Sequence, residues 1–475
     1  MILILGAGPA GLTAALEALR HGEEVCVIEK SNAVGGISRT EEQEGWKFDL
    51  GGHRFFTKVK RVNDFWNSVL PTEDFLTRPR MSRIFYNGKY FDYPLKPLNA
   101  LQSLGIIKAF RSIFSLIITK LNPPKDQSHF EGWVAARFGW YLYSIFFKTY
   151  TEKVWGIPAT SIQADWAAQR IKNLSLTKAI LDAFGIRAKN KVITTLIDSF
   201  QYPRFGPGQM WNACANKILN SGGQIIFETT ASKIISTKNG YKVYLSNGDT
   251  VSANSIISSI PLSELPALLE CDDQKVIGNS KNLKYRDFLT VALVVPENVG
   301  FPDNWIYIHS PEVKVGRIQN FASWSPDMVQ EGFTCLGLEY FVNQGDDLWE
   351  SRDSDLIELA SNELAKLGIV SRALISKGYV VRVPKAYPVY DRGYQERIES
   401  IADWLQQNHP QIFPVGRNGM HRYNNQDHSM LTAMFAIDNI VKQENHNLWD
   451  VNLDDEYHEE TISNNKGGRA APEFQ

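Results

Sequence analysis

The chain is poor in several things at once. Its cysteines are Cys26, Cys214, Cys271 and Cys335, far apart and without a CxxC pair. That spacing argues against a disulfide framework or a thiolate metal site, and free thiols in a reducing compartment are the expectation. An excess of one charge is missing too: Lys plus Arg number 50 against 52 Asp plus Glu, a net charge of −2. Nothing in that balance points to nucleic acid, so any recognition of phosphate has to be local. There is no long uninterrupted apolar run. The most apolar stretch, Leu104 to Leu121, contains Lys108, Arg111 and Lys120 and reads as an amphipathic helix, not a membrane span. No internal repeat is present. The first strand begins at Ile2, leaving no room for a leader ahead of it, so the expected location is cytoplasmic.

What is present is ordinary in bulk: 475 residues, 43% apolar and 21% charged. Those figures describe a soluble globular protein too long for one compact core, so two or three sub-domains are expected. The informative stretch is the first one. Ile2-Leu3-Ile4-Leu5 is a short apolar run suited to a buried parallel strand, and Gly6-Ala7-Gly8-Pro9-Ala10-Gly11 follows at once. Leu12 to His21 reads as a helix, Val25 to Ile28 as a second buried strand, and Glu29-Lys30 closes the unit. This is a dinucleotide-binding βαβ fingerprint: Gly6 for the tight turn, Gly8 for approach of a pyrophosphate, Gly11 for close helix–strand packing. The helix start, including Pro9 and Ala10, offers unpaired N–H groups and a positive dipole end. Glu29 is placed to accept from a ribose 2′-hydroxyl and would repel a 2′-phosphate.

Further along, Phe48-Asp49-Leu50-Gly51-Gly52-His53 brings a short strand into a glycine pair, where the backbone must turn sharply or approach something closely. His53 follows; a lone histidine is more often a structural donor than a reacting group. Asn87-Gly88 marks a hairpin within 82–93, and Pro94 to about Gly156 has a helical pattern restarted by a capping box, Ser128 to Glu131. Asp165 to Leu174 reads as a helix with Trp166 and Arg170 on one face. That pair suits a base and a phosphate, although an ordinary solvated helix gives the same spacing. Gly206 and Gly208 precede a helix in a loop that could also admit a ligand. Lys233 to Ser259 is a meander returning to the parallel sheet, and four strand-like runs between Leu289 and Phe341 fit an antiparallel sheet. Ile412 to Arg417 is a further strand, and Asn425-Gln426-Asp427-His428-Ser429 precedes a last helix, Met430 to Val441.

Ala33-Val34-Gly35-Gly36-Ile37-Ser38-Arg39-Thr40 resembles the second glycine pair of the flavoproteins that include amine oxidases, protoporphyrinogen oxidases and UDP-galactopyranose mutases. The mutase-like branch is matched most specifically by Lys153-Val154-Trp155…Trp166…Arg170, by Trp305-x-Tyr307…Arg317, and by Gly416-Arg417…Tyr423…Asn425 to Ser429. Two features depart from its pattern: Tyr423 stands only two residues before Asn425, and the Tyr202 to Gln209 loop is less rich in glycine than in the mutases.

With the patterns above, the resemblance implies an α/β fold with a discontinuous Rossmann-like FAD-binding domain (1–80, 200–265 and 410–442), a helical domain (94–195) and an antiparallel-sheet substrate domain (82–93 and 270–400); the polar, acidic remainder (445–475) reads as a disordered tail. The resemblance also implies reduced FAD as the working cofactor, with NAD(P)H as a further expectation for the reductant. The implied reaction is pyranose–furanose interconversion of a nucleotide sugar through a flavin N5–sugar adduct. Arg170 and Arg317 would clamp the pyrophosphate, Tyr307, Tyr387 and Tyr423 would donate to it, Trp166 and Asn425 would contact substrate, and His53 would lie against the flavin. FAD would be held by Gly6, Gly8, Pro9, Ala10, Gly11, Glu29, Lys30, Gly36, Gly51, Gly52, His53, Gly416, Arg417, Gln426, Asp427 and Ser429. No metal or membrane span is implied. The competing reading of the same flavoprotein group is an oxidoreductase of the amine oxidase or protoporphyrinogen oxidase type.

Overall fold

The computed structural model describes residues 1–93, 103–164, 193–196, 198–452 and 460–463. A five-stranded parallel sheet runs in the order Gln224–Ile226, Val25–Ile28, Ile2–Leu5, Ser255–Ser258, Ile412–Pro414. Its strands come from three separated stretches of chain, so the nucleotide-binding domain is discontinuous. Side chains alternate across a strand, and the two faces of this sheet are covered differently. Ile2, Ile4, Val25 and Val27 meet the helices Pro9–Arg20, Pro207–Asn220 and Gln426–Val441. Leu3, Leu5, Cys26 and Ile28 meet the meander through Ile234, Val243 and Leu245. Each such aliphatic side chain contributes about 1.5–3 kcal/mol by leaving water, so a continuous apolar run is what a sheet covered on both faces requires.

The second layer is a seven-stranded sheet in the order Lys377–Pro388, Tyr285–Pro296, Phe333–Val342, Arg317–Asn320, Trp305–Ile308, Ser82–Tyr86, Lys89–Asp92. It is antiparallel except where Trp305–Ile308 runs parallel to Ser82–Tyr86. Leu289, Val291, Leu293 and Val295 face the helix Asp353–Lys366, while Ala292 and Val294 face Trp46, Phe48 and Trp324. One side of the sheet is therefore closed by its own helix, and the other is turned toward the nucleotide-binding domain.

Helices Ile106–Leu121 and Phe130–Phe138, and a helical run from Trp140 to Trp155, form the insertion. Its restart is capped by His129, whose Nδ1 accepts from Gly132 N at 3.1 Å. Ser128, the expected cap, instead donates to Asp126 Oδ1 at 2.6 Å. Within the last run, Tyr143–Lys148 forms a widened π-turn. Such turns shift the facing of the residues that follow, and here Tyr150 follows.

The expected helix from Asp165 to Leu174, with Trp166 and Arg170, lies outside the described residues. Within the expected tail, Leu448 and Val451 are buried, and 460–463 pairs with 193–196. The last helix starts at Gln426, earlier than the sequence suggests, because Asn425 takes the extended N-cap conformation and its carbonyl accepts from Ser429 N.

Candidate active site

Two of the fingerprint glycines are demanded by the protein itself. Gly6 has φ +97°, and a Cβ there would lie 2.4 Å from Ser259 Oγ. A Cβ on Gly11 would lie 1.9 Å from the Gly6 carbonyl oxygen. Gly8 is different: the nearest atom to its missing Cβ is Gly36 Cα, at 4.0 Å. Gly36 in turn has φ +55° and its Cβ would meet Gly8 Cα at 3.3 Å. The two glycine turns thus face each other with backbone alone. Gly8 is also the N-cap of Pro9–Arg20, with no side-chain cap and no acid in the first turn, so its donors are left to a ligand. This cradle fits the phosphates of a dinucleotide such as FAD.

Around the cradle, Glu29 is oriented by three donors: Ala7 N at 2.7 Å, Ser31 N at 2.8 Å and Ser31 Oγ at 2.7 Å. Lys30 beside it is exposed. From the far end of the chain Gly416, with φ +78°, comes close enough that a Cβ would lie 2.9 Å from Ala10 Cβ and 3.9 Å from Ser429 Cβ. The segments holding Ala10, Gly416 and Ser429 therefore converge, although they lie at opposite ends of the sequence.

His53 directly follows Gly51-Gly52, where Gly51 has φ +102° and Gly52 is exposed beside Trp324. Its Nδ1 lies 3.0 Å from the Gly51 carbonyl oxygen. A carbonyl only accepts, so this contact assigns the proton to Nδ1 and leaves Nε2 as an acceptor. Burial, and then the positive charge of Arg417, press the imidazole pKa down to about 3 against the opposing pull of the Gly51 carbonyl; Arg317 adds a smaller push downward. Burial and the neighbouring arginines thus favour the neutral imidazole.

The two arginines that His53 senses belong to one cluster. Arg317 Nε donates to the buried carboxylate of Glu339, and Arg317 Nη2 donates to Tyr387 Oη at 3.1 Å. Gln319 Nε2 holds the other carboxylate oxygen at 2.6 Å. The Tyr387 ring stacks on that of Tyr423, with centroids 5.7 Å apart and planes 15° apart. Arg417 lies over both, 4.7 Å from the Tyr423 centroid and 5.5 Å from that of Tyr387, and its Nε donates to the Asn424 carbonyl at 2.9 Å. Tyr307 presents its ring to Tyr150 at 5.7 Å and to Tyr93 at 4.8 Å. Among the residues expected in the site, His53, Arg317, Arg417, Tyr307, Tyr387 and Tyr423 are thus brought together.

The Asn425 to Ser429 box is divided in role. Asn425 is the helix N-cap but its side chain makes no cap hydrogen bond. Asp427 and Ser429 are buried in the first turn, at 2% and 6% exposure. Gln426 is engaged within the protein: it accepts from Ser38 Oγ at 3.3 Å and donates to the Arg54 carbonyl at 3.0 Å. Its amide fastens the Ser38 turn to the segment beside His53.

Packing within the protein itself requires glycine at 206 and 208. Their missing Cβ atoms would strike Thr40, at 2.2 Å from Oγ1 and 2.6 Å from N respectively. Glycine is needed there because the loop packs onto the Thr40–Asp49 hairpin, where Gly208 N donates to Thr40 Oγ1 at 3.1 Å. The carboxyl of Asp49 beneath accepts from Thr40 Oγ1 and Tyr202 Oη, and its burial raises the pKa to about 7.

Three contributors escaped the sequence reading. Glu339 lies in an apolar strand, and no spacing signals that it balances Arg317. Arg54 lays its guanidinium over Trp305 at 4.6 Å. Tyr150 stacks on His309 at 4.6 Å and 9°, within the field of Arg317. The only clue to Tyr150 is its position three residues before Lys153, which anchors the same helix by donating to the carbonyls of Ile308, Ser310 and Val315 at 3.0–3.3 Å.

The sequence profile of the family described as flavin containing amine oxidoreductases matches residues 9–390. A structure of reduced UDP-galactopyranose mutase superposes with a TM-score of 0.83 at 23% identity, covering 96% of this chain and 99% of that one. A structure from Exiguobacterium sp. 255-15, carrying a provisional protoporphyrinogen oxidase name, superposes with a TM-score of 0.71 at 15% identity, covering 93% and 99%. At these identities the likeness establishes the fold. An L-amino-acid oxidase of Sistrurus catenatus edwardsii is 32% identical over 117 residues, which span 22% of this chain and 23% of that protein's length.

Proposed function

Because this chain belongs to the flavin containing amine oxidoreductase family, we propose that it holds FAD in the Gly8–Gly36 cradle and acts as a nucleotide-sugar mutase. On this reading it interconverts pyranose and furanose forms of a sugar of the UDP-galactose type. The observation that supports it is the pair of cations, Arg317 and Arg417, set among tyrosines beside a neutral His53. Arg317 Nη2 and the Arg417 guanidinium give such a site charge-assisted donors for a diphosphate, with Glu339 balancing Arg317 from behind.

Reduced FAD, when bound, supplies a nucleophile for the anomeric carbon of the sugar. The chain's own residues then have distinct tasks. Arg317 and Arg170 hold the diphosphate, which is both the handle of the substrate and the charge that departs. Tyr307, Tyr387 and Tyr423 donate to its oxygens, Trp166 lies along the nucleotide or sugar, and Asn425 contacts the substrate from the helix N-cap. His53 offers Nε2 as an acceptor on the flavin side. Gly51-Gly52, Gly416-Arg417, Asp427 and Ser429 support the cofactor.

A second reading is favoured by the same Arg317. A guanidinium also pairs with the carboxylate of an amino acid, which an L-amino-acid oxidase must bind. One experiment separates the two: the purified flavoprotein is reduced with dithionite, incubated with UDP-galactopyranose or UDP-galactofuranose, and the products resolved by chromatography. Isomer formation with reduced and not with oxidised flavin is the expected result. Peroxide released from L-amino acids, with no isomer from either sugar, would sink the mutase reading.

A further inference from the structure

The helix Ile106–Leu121 leaves most of its apolar side chains in water. Ser112, Leu116 and Thr119 are buried beneath it, the two hydroxyls satisfied by carbonyls of their own helix, Lys108 O at 2.8 Å and Ser115 O at 2.7 Å. On the opposite face Ile106, Ile107, Phe110, Phe114, Ile117, Ile118 and Leu121 are 49–82% exposed. At about 100° per residue these seven fall within a sector of about 120°, which among the described residues nothing covers. A surface helix normally shows the reverse arrangement, and a contiguous apolar stripe of this kind marks a binding face.

Its charges identify the occupant. From Ser103 to Lys125 the chain carries Lys108, Arg111, Lys120 and Lys125 and no acid, although the whole protein has a net charge of −2. Arg111 and Lys120 are both exposed; Arg111 lies about 20° beyond one edge of the apolar sector and Lys120 about 40° beyond the other. A second copy of this chain pairing through the same face would set cation against cation at both margins. A surface with an apolar interior and anionic headgroups instead satisfies stripe and margins together, the long side chains reaching up to the headgroups. No helix among the described residues is long and apolar enough to cross a membrane; this one has the pattern to lie in its plane.

We propose that Ile106–Leu121 docks the protein onto an anionic membrane surface, its apolar stripe inserted and Arg111 and Lys120 at headgroup level. The proposal is independent of the reaction catalysed. The test is flotation of the full-length flavoprotein with vesicles of equal parts phosphatidylglycerol and phosphatidylcholine, and with phosphatidylcholine alone. Binding to the mixed vesicles, weaker binding to the neutral ones, and its loss in Phe114→Glu/Ile117→Glu with an unchanged flavin spectrum are expected. Arg111→Glu/Lys120→Glu should weaken binding to the mixed vesicles by roughly tenfold or more. A protein that stays with neither kind of vesicle overturns the proposal. So does a dimer in sedimentation analysis that Phe114→Glu dissociates in a protein that binds no vesicles, since the face would then belong to a second copy.

Discussion

Arg317 donates through Nε to Glu339, a carboxylate whose side chain is 1% exposed, while the arginine itself keeps 20% of its side chain open. The acid balances the cation from behind and leaves Nη2 turned to Tyr387. Removing one partner of such a pair strands the other. Arg317→Met should therefore destabilise the fold by about 3–5 kcal/mol. The double variant Arg317→Met/Glu339→Gln should recover most of that in urea unfolding. It should still lose about tenfold to a hundredfold in kcat/KM for the nucleotide sugar, the worth of a charge-assisted hydrogen bond. Full activity in a stable double variant would remove Arg317 from the substrate site.

The cradle separates two kinds of glycine. Gly11→Ala puts a methyl 1.9 Å from a carbonyl oxygen and should yield little folded protein. Gly8→Ala meets nothing nearer than 4.0 Å, so it should fold with an ordinary circular dichroism spectrum and fill the space meant for phosphate. Fluorescence titration should show its FAD affinity reduced by roughly tenfold or more, as expected for blocked backbone donors. Unchanged affinity would place the pyrophosphate elsewhere.

His53 and pH form a third case. The folded-state pKa of about 3 lies below the ordinary 6.5, so the unfolded chain takes up this proton first. Stability contributed by the neutral imidazole is complete above 6.5 and is lost as pH falls toward 3. Melting temperature should fall over that window less steeply in His53→Asn than in the parent. The pH–rate profile should show no step near 6.5 that the substitution abolishes. Such a step would mean that His53 titrates in the working enzyme.

Asp49 has the opposite sign. Burial raises its folded pKa to about 7 from 3.8, against the donors Tyr202 and Thr40. The folded state holds the proton more tightly, so the contribution is complete below 3.8 and is lost as pH rises through 7. Asp49→Asn should flatten the decline of melting temperature above neutral pH. A profile identical to the parent's would show that Asp49 is already ionised.

Tyr150 offers a direct check on a residue reached only through the structure. Burial holds its phenol well above the ordinary range, with Arg317 opposing, so it remains a neutral donor. Tyr150→Phe keeps the ring on His309 and removes the hydroxyl. Its KM for the nucleotide sugar should rise about fivefold, the worth of one neutral hydrogen bond, at unchanged melting temperature. An unaltered KM would make Tyr150 part of the scaffold alone.

Much of the fold is written locally. Ile2–Leu5, the glycine loop, the helix after it and Val25–Ile28 depend on residues adjacent in sequence, so spacing alone reveals them. The discontinuous α/β architecture follows from apolar runs returning at Ser255–Ser258 and Ile412–Pro414. Where local chemistry is ambiguous the reading slips. Gly206 and Gly208 are glycines for close packing on Thr40, and a ligand approach demands the same residue. Gln426 is polar before a helix, and nothing in its neighbours says that Ser38 and Arg54 already occupy its amide.

The sequence by itself determined the dinucleotide cradle and the parallel and antiparallel sheets, and its resemblance to a family implied a set of tyrosines and arginines for a diphosphate. Only the tertiary structure decided which of those groups meet, and on what terms. Glu339 reaches Arg317 across the register of two antiparallel strands, and Tyr387 reaches Tyr423 from separate segments. The His53 imidazole pKa is pressed below its ordinary value first by burial and then by the charge of Arg417. Pairing across such distances, desolvation and electric field are properties of the assembled space and are not carried by any one stretch of chain.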